Sequence, residues 1–229
     1  MLVIGHRGAS RDRPENTIAA FEEAHRQGAD GVELDVRRTA DGALACSHDD
    51  TLPDGRVVVE LLAADLPEEM PLLGAVLEVC RPLSVVNIEI KNWPDDKDFD
   101  AEEHLAGAVV ALLDDRGELA DRRYLISGFH LPTIDRVHAL APGLPTAWLV
   151  IGNDDMLGLV DRAAAHGHVA IHPHHAFVTE NLVDHAHGAG LAVNTWTCDD
   201  PDRIRWLAEV GVDGVVTDVP AVALAALGR

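Results

Sequence analysis

Short runs of apolar and β-branched residues recur along the chain. Stretches whose apolar residues repeat with helical period separate most of them. The runs fall at Leu2–Gly5, Gly31–Val36, Val85–Ile90, Tyr124–Ser127, Thr146–Ile151, His168–His172, Ala192–Thr197 and Gly214–Thr217. Helices are expected at Asn16–Gln27, Ala101–Asp115, Met156–His166, Thr179–His187 and Pro201–Val210, among others. Gly28, Gly167, Gly188 and Gly211 stand where left-handed C-terminal caps would sit. A strand followed by a helix, repeated, implies parallel strands joined by right-handed crossovers. Eight such strands predict a closed TIM (β/α)8 barrel, and the 229 residues suit one domain spanning residues 1–229.

One segment departs from this rhythm. Only Thr39-Ala40-Asp41-Gly42 separates Arg38 from Ala43, yet Leu44–Ser47 again reads as a strand. A parallel crossover needs roughly a dozen residues. The segment is therefore expected to be a hairpin extending the second barrel strand, with Asp-Gly in its turn. A turn centred on Ala40 and Asp41 would set Glu33 opposite His48.

In such a barrel, polar side chains at the carboxyl ends of the strands converge on one face. Those ends offer His6 and Arg7, then Glu33 and Asp35, then Glu89 and Lys91. Residues two apart share a side of their strand, so Glu33 with Asp35, and Glu89 with Lys91, point together into the mouth. Three carboxylates brought together repel one another unless a cation holds them. Two readings stand: oxygen ligands for a divalent ion such as Mg²⁺ or Ca²⁺, or a structural ion network with Arg7, Arg37 and Lys91. His6 and His48 are candidates for proton transfer, since histidine titrates nearest neutrality, or are hydrogen-bonded structural residues. Arg7 and Lys91 are suited to phosphate oxygens.

Composition narrows the partners. A formal charge of −21 argues against nucleic acid and anionic membrane surfaces. A phosphate group can still bind through a cation and locally placed Arg or Lys. No apolar run is long enough to span a bilayer, so no stable membrane insertion is expected. Met1 leads directly into Leu-Val-Ile-Gly-His with no secretory pattern. Cys46, Cys80 and Cys198 form no C-x-x-C pair, and the expectation is a reducing, cytoplasmic setting.

The segment His6–Asp49 reads HRGASRDRPENTIAAFEEAHRQGADGVELDVRRTADGALACSHD. It resembles the glycerophosphodiester phosphodiesterase family, whose pattern runs H-R-G, P-E-N-T, G-A-D, E-x-D-V, D-G and H-D. N-I-E-I-K at Asn87–Lys91, N-T-W-T at Asn194–Thr197 and G-V-D-G-V-V-T-D-V-P at Gly211–Pro220 extend the likeness over nearly the whole chain. The resemblance implies a TIM barrel that hydrolyses glycerophosphodiesters to sn-glycerol 3-phosphate and an alcohol through a cyclic phosphate. It makes Glu33, Asp35 and Glu89 ligands of one divalent cation, Mg²⁺ or Ca²⁺, with Mn²⁺ an alternative. His6 and His48 match the acid–base pair, and Arg7 and Lys91 the phosphate-contacting cations. Within P-E-N-T, Asn16 is placed to cap the first helix and Glu15 to support the metal or an active-site Arg. Trp196 either walls the glycerol pocket or packs in the core.

Two departures bear on specificity. After His48-Asp49 the family's L-x-R-T-T-like segment and insertion are reduced to Asp50–Arg56 and a short run to Pro71, which implies a more open site. His172-Pro173-His174-His175 is expected to be a solvated loop, with substrate contact or a second metal as the alternative. The competing functions are a lysophospholipase D or sphingomyelinase D-like lipid enzyme on the same scaffold, and a non-catalytic barrel that binds anionic metabolites.

Overall fold

The computed structural model describes residues 1–152 and 155–229. Eight parallel strands form a closed barrel: β1 (Leu2–His6), β2 (Gly31–Arg38), β4 (Val85–Ile90), β5 (Tyr124–Gly128), β6 (Thr146–Val150), β7 (Ala170–Pro173), β8 (Ala192–Thr195) and β9 (Gly214–Thr217). Each pairs with its successor, and pairing of β1 with both β2 and β9 closes the ring. The helices are α1 (Ile18–Arg26), α2 (Leu73–Val79), α3 (His104–Asp115), α4 (Leu131–Leu140), α5 (Met156–Ala165), α6 (Glu180–Gly188), α7 (Pro201–Glu209) and α8 (Pro220–Ala226). The expected TIM barrel is thus the observed fold.

Alternation along the strands divides the apolar side chains from the functional ones. On β2, Val32, Leu34 and Val36 are buried against the helical layer, as are Val86, Ile88 and Ile90 on β4. The residues between them, Glu33, Asp35, Asn87 and Glu89, take the opposite side, inside the barrel. The core lies mainly between sheet and helices, in two large apolar clusters covering the two halves of the ring.

Caps fix the helix entries. Thr179 accepts the Leu182 N–H ahead of α6, and Asp200 accepts N–H groups of Asp202 and Arg203 ahead of α7, where Pro201 occupies the first turn. Three of the four glycines expected to end helices take positive φ. Gly188 instead lies within α6, and Gly190 takes the left-handed position after it.

The hairpin is present, with β3 (Leu44–Cys46) antiparallel to β2, but its register differs from expectation by one residue. Val36 faces Cys46 and Arg38 faces Leu44, so paired numbers sum to 82 and Glu33 is not opposite His48. The Thr39 N–H bonds to the Ala43 carbonyl across a three-residue loop whose last residue, Gly42, has φ +82°. That is the loop type with a left-handed glycine, not the two-residue turn on which the expected register rested. Residues 50–72 fold back on the hairpin over a small cluster of Ala45, Leu52 and Val58.

The three cysteines are buried and unpaired. Among the described residues no helix is long and apolar enough to cross a membrane.

Candidate active site

Strand register places the polar groups in two layers at the barrel mouth. His6, Glu33 and Asn87 are lateral partners across β1, β2 and β4; one step higher, Asp35, Glu89 and Ser127 are partners across β2, β4 and β5. Glu33, Asp35 and Glu89 are all buried, and one oxygen from each lies within 4.8 Å of the others. The three carboxylates do converge, as expected.

Their surroundings distinguish them. Asp35 Oδ2 lies 3.0 Å from Arg7 Nε, and Asp35 Oδ1 3.0 Å from Lys91 Nζ. Burial favours the neutral acid, but Lys91, Arg7 and His48 override it and hold the Asp35 carboxyl well below the usual range. Lys91 Nζ also donates to Glu89 Oε1 at 2.6 Å; burial opposes its charge, and Glu89 and Asp35 keep it firmly protonated. Glu33 has no comparable partner. Its Oε2 accepts the Arg7 N–H at 3.0 Å, while its buried Oε1 has no hydrogen bond. Burial, reinforced by Asp35, raises its pKa despite nearby His6. A buried carboxylate oxygen without a donor is costly. A cation among three oxygen donors relieves it, so the residues fit a hard divalent ion.

The chain holds this arrangement with an unusual backbone. Arg7 and Asn16 both adopt left-handed φ of 56°, and the Asn16 N–H bonds to the Arg7 carbonyl at 3.0 Å. Gly8 follows with φ +88°, and a Cβ there would lie 2.5 Å from the Ala20 backbone, so the turn over α1 demands glycine. Asn16 does not cap α1; Thr17 does, accepting the Ala20 N–H. Asn16 is buried instead, its Nδ2 donating to Asp35 Oδ2 at 2.8 Å and its Oδ1 accepting the Asp35 N–H. Glu15 lies where expected for a supporting group, accepting from Arg7 Nη1 at 2.8 Å.

The two histidines flank the carboxylates. His6 Nδ1 is 2.6 Å from Asp218 Oδ1, which also accepts from the Ser10 hydroxyl. Burial disfavours charge on His6, yet the Asp218 hydrogen bond and the Glu33 carboxylate together raise its pKa. His48 is more exposed and sets its Nδ1 2.7 Å from Asp49 Oδ1. Its backbone carbonyl is gripped by Arg37, whose Nε and Nη2 both donate to it while Nη1 and Nη2 pair with Asp98 and Asp96. Arg37 thus ties the hairpin end to the segment after β4 and takes no part in an ion network with the three carboxylates.

Trp196 closes the opposite wall. Its Nε1 donates to the His172 carbonyl at 2.8 Å, and its ring meets Phe129 edge-on at 5.3 Å. A void of about 20 Å³, room for one water-sized occupant, lies among His6, Glu33, Asn87, Glu89, His172 and Trp196. A larger cleft of about 510 Å³ opens beside it, lined by His48, Glu89, Lys91, Trp93, Phe129 and Ile151 among others. Glu89 borders both, so the carboxylate cluster separates a tight subsite from a roomy one.

Asp218, Asn87 and Asn194 join the site beyond the residues expected from the sequence. Asp218 immediately follows β9 and Asn194 lies on β8, so the strand-end rule contained the signal for both. His172 is also corrected: it is not in a solvated loop but buried inside the barrel, with Nε2 3.0 Å from Asn194 Nδ2.

Known proteins share this arrangement of strands and motifs. The family model described as "Glycerophosphoryl diester phosphodiesterase family" matches residues 6–222. A glycerophosphodiester phosphodiesterase of Caldanaerobacter subterraneus subsp. tengcongensis is 32% identical, covering 96% of this chain and 94% of its own. The crystal structure of a putative glycerophosphoryl diester phosphodiesterase from Silicibacter pomeroyi aligns with a TM-score of 0.89 at 28% identity, covering 99% of this chain and 92% of that one. An Oleispira antarctica phosphodiesterase, solved in complex with the product sn-glycerol-3-phosphate, aligns with a TM-score of 0.89 at 26% identity, covering 100% and 97%. The chain therefore belongs to the glycerophosphoryl diester phosphodiesterase family and is a phosphoric diester hydrolase whose substrate class is the glycerophosphodiesters.

Proposed function

We propose that hydrolysis here requires one divalent cation held by Glu33, Asp35 and Glu89 and proceeds by proton transfer through His6 and His48, releasing sn-glycerol 3-phosphate and an alcohol. The observation that carries this reading is the buried Glu33 Oε1, without a hydrogen bond among three converging carboxylates. The all-oxygen donor set suits Mg²⁺ or Ca²⁺, and accommodates Mn²⁺. When bound, such an ion supplies positive charge against the phosphoryl oxygens and helps orient the attacking hydroxyl.

The protein's own groups account for the rest. Arg7 and Lys91 bring fixed positive charge to the phosphate. With its Nδ1–H donated to Asp218, His6 presents Nε2 for proton transfer; Asp49 can hold His48 in the same tautomer. One histidine takes the proton of the substrate's 2-hydroxyl as its oxygen bonds to phosphorus. The other protonates the departing alkoxide as the phosphorus–oxygen bond breaks. Water then opens the cyclic phosphate, and the two histidines exchange roles. Glu15 restrains the Arg7 guanidinium, Asn16 fixes Asp35, and Trp196 walls the glycerol side. The product seen in the Oleispira relative supports sn-glycerol 3-phosphate as the product here.

A specific observation also favours larger lipid substrates. Trp93 and Ile151 at the cleft rim are 44% and 58% exposed, an apolar edge that could seat the acyl chain of a lysophospholipid. The test is glycerol 3-phosphate release from water-soluble glycerophosphodiesters, with lysophospholipids assayed alongside for lysophosphatidate. Turnover of the soluble diesters that EDTA abolishes supports the main reading. Lysophosphatidate formation at comparable rates supports the lipid reading, and metal-independent turnover contradicts the cation's role.

A further inference from the structure

At the opposite end of the barrel, three elements bring a second set of metal-binding side chains together. Asp135 lies on α4, His166 caps the end of α5, and His168 precedes β7. One ligand atom from each lies within 4.8 Å of the others, the one group of this kind among the described residues besides the carboxylate cluster at the mouth. His166 Nδ1 is 2.9 and 3.0 Å from the two Asp135 oxygens. His168 Nε2 is 3.2 Å from Asp135 Oδ1.

The state of His168 argues for a ligand. Its side chain is fully buried, and Nε2 lies 3.2 Å from Asp135 Oδ1 as an ion-pair contact without the alignment of a hydrogen bond. Its Nδ1 lies 2.8 Å from Thr146 Oγ1. If Nδ1–H donates to that hydroxyl, the Nε2 lone pair is turned toward the carboxylate. Ligating histidines are commonly held this way, the far nitrogen anchored so that the near one faces the ion. The turn also brings in a third imidazole as a candidate fourth ligand. The His138 ring is 6.2 Å from that of His168, and a Cβ on Gly167 would lie 2.9 Å from His138 Nε2.

We propose that Asp135, His166 and His168 form a zinc site, with His138 or water completing four-coordination. Two imidazole nitrogens and one carboxylate suit Zn²⁺, whereas the oxygen-only cluster at the mouth suits a harder ion. The ion ties α4 to the α5–β7 turn at the barrel's amino-terminal end, away from the active-site face. Its contribution is stability, not chemistry.

The test is titration of metal-stripped full-length protein with Zn²⁺ by calorimetry in millimolar Mg²⁺, which competes with zinc for the oxygen-only cluster at the mouth. Thermal melts and the visible spectrum of the Co²⁺-substituted protein accompany it. His166→Gln and Asp135→Asn alter half-exposed positions, and retained phosphodiesterase activity verifies their folding. The site predicts one Zn²⁺ equivalent that Mg²⁺ does not displace, a tetrahedral Co²⁺ spectrum and a higher melting temperature with zinc. It also predicts affinity at least roughly tenfold weaker in either variant. Zinc binding that is absent, fully displaced by Mg²⁺, or unchanged in both variants overturns the proposal.

Discussion

His6 Nδ1 lies 2.6 Å from Asp218 Oδ1 although the two residues are 212 positions apart, at the ends of the first and last barrel strands. Closure of the ring by β1 and β9 creates this contact, so the protonation of His6 depends on the barrel being complete. Asp218→Asn keeps the shape but removes the charge that holds the proton on Nδ1. The expected result is a roughly ten- to hundredfold loss in kcat. The Asp218 hydrogen bond raises the His6 pKa, so its removal moves the limb of the pH–rate profile belonging to His6 toward lower pH. A profile unchanged in both height and position would show that His6 does not act through Asp218.

His6 and His48 serve one reaction as paired base and acid. His6→Ala and His48→Ala should each lower kcat by about 10²- to 10⁴-fold. The double variant should lose much less than the product of the two, because neither histidine is useful without the other. Full additivity in steady-state rates would argue for independent roles.

Asn16 braces Asp35 from within the loop that follows Arg7. Asn16→Ala leaves the Asp35 N–H and Oδ2 without this partner and replaces Asn, which tolerates φ 56°, by a residue that tolerates it less well. Denaturant unfolding should show a loss of about 2–4 kcal/mol. Asn16→Gly accepts the backbone conformation but still lacks the amide, so it should recover part of the stability without recovering divalent-ion affinity. Recovery of both would mean that the backbone turn, not the amide, positions Asp35.

Buried His172 makes stability fall in acid. Burial lowers its pKa to about 3, and Asn194 Nδ2 contacts its Nε2, which must stay unprotonated to accept that bond. In the unfolded chain the same group titrates at about 6.5. Below that pH the unfolded state binds the extra proton, so stability is full above about 6.5 and declines toward pH 3. Unfolding free energies of wild type and His172→Gln, measured across this window, should converge as pH falls. Parallel curves would show that His172 does not carry the dependence.

The barrel and the converging acids could be read in the sequence because both follow from period-two alternation. Glu33, Asp35 and Glu89 must share the inner face if Leu34, Val36, Ile88 and Ile90 meet the helices. The hairpin register could not be read this way. Asp41-Gly42 fits both a two- and a three-residue loop, and the choice moves every pair by one. Asn16 was mistaken for a cap because Asn and Thr are both good cap residues and stand side by side. His172 looked like loop because three histidines and a proline suggest exposure, yet the strand runs through Pro173 and turns His172 inward. The end of β9 marks Asp218 as a mouth residue, but its pairing with His6 follows from closure of the ring, which no local pattern conveys.

The most direct measurement is the dependence of glycerol 3-phosphate release on added Mg²⁺, Ca²⁺ or Mn²⁺, using metal-stripped wild type and Glu33→Gln. Stripped wild type should show no detectable turnover and recover fully with at least one of the ions. Glu33→Gln should be at least about a hundredfold less active at saturating metal. Turnover by stripped wild type, or a Glu33→Gln variant that matches wild type at every metal concentration, would show that no cation held by Glu33 is needed for hydrolysis.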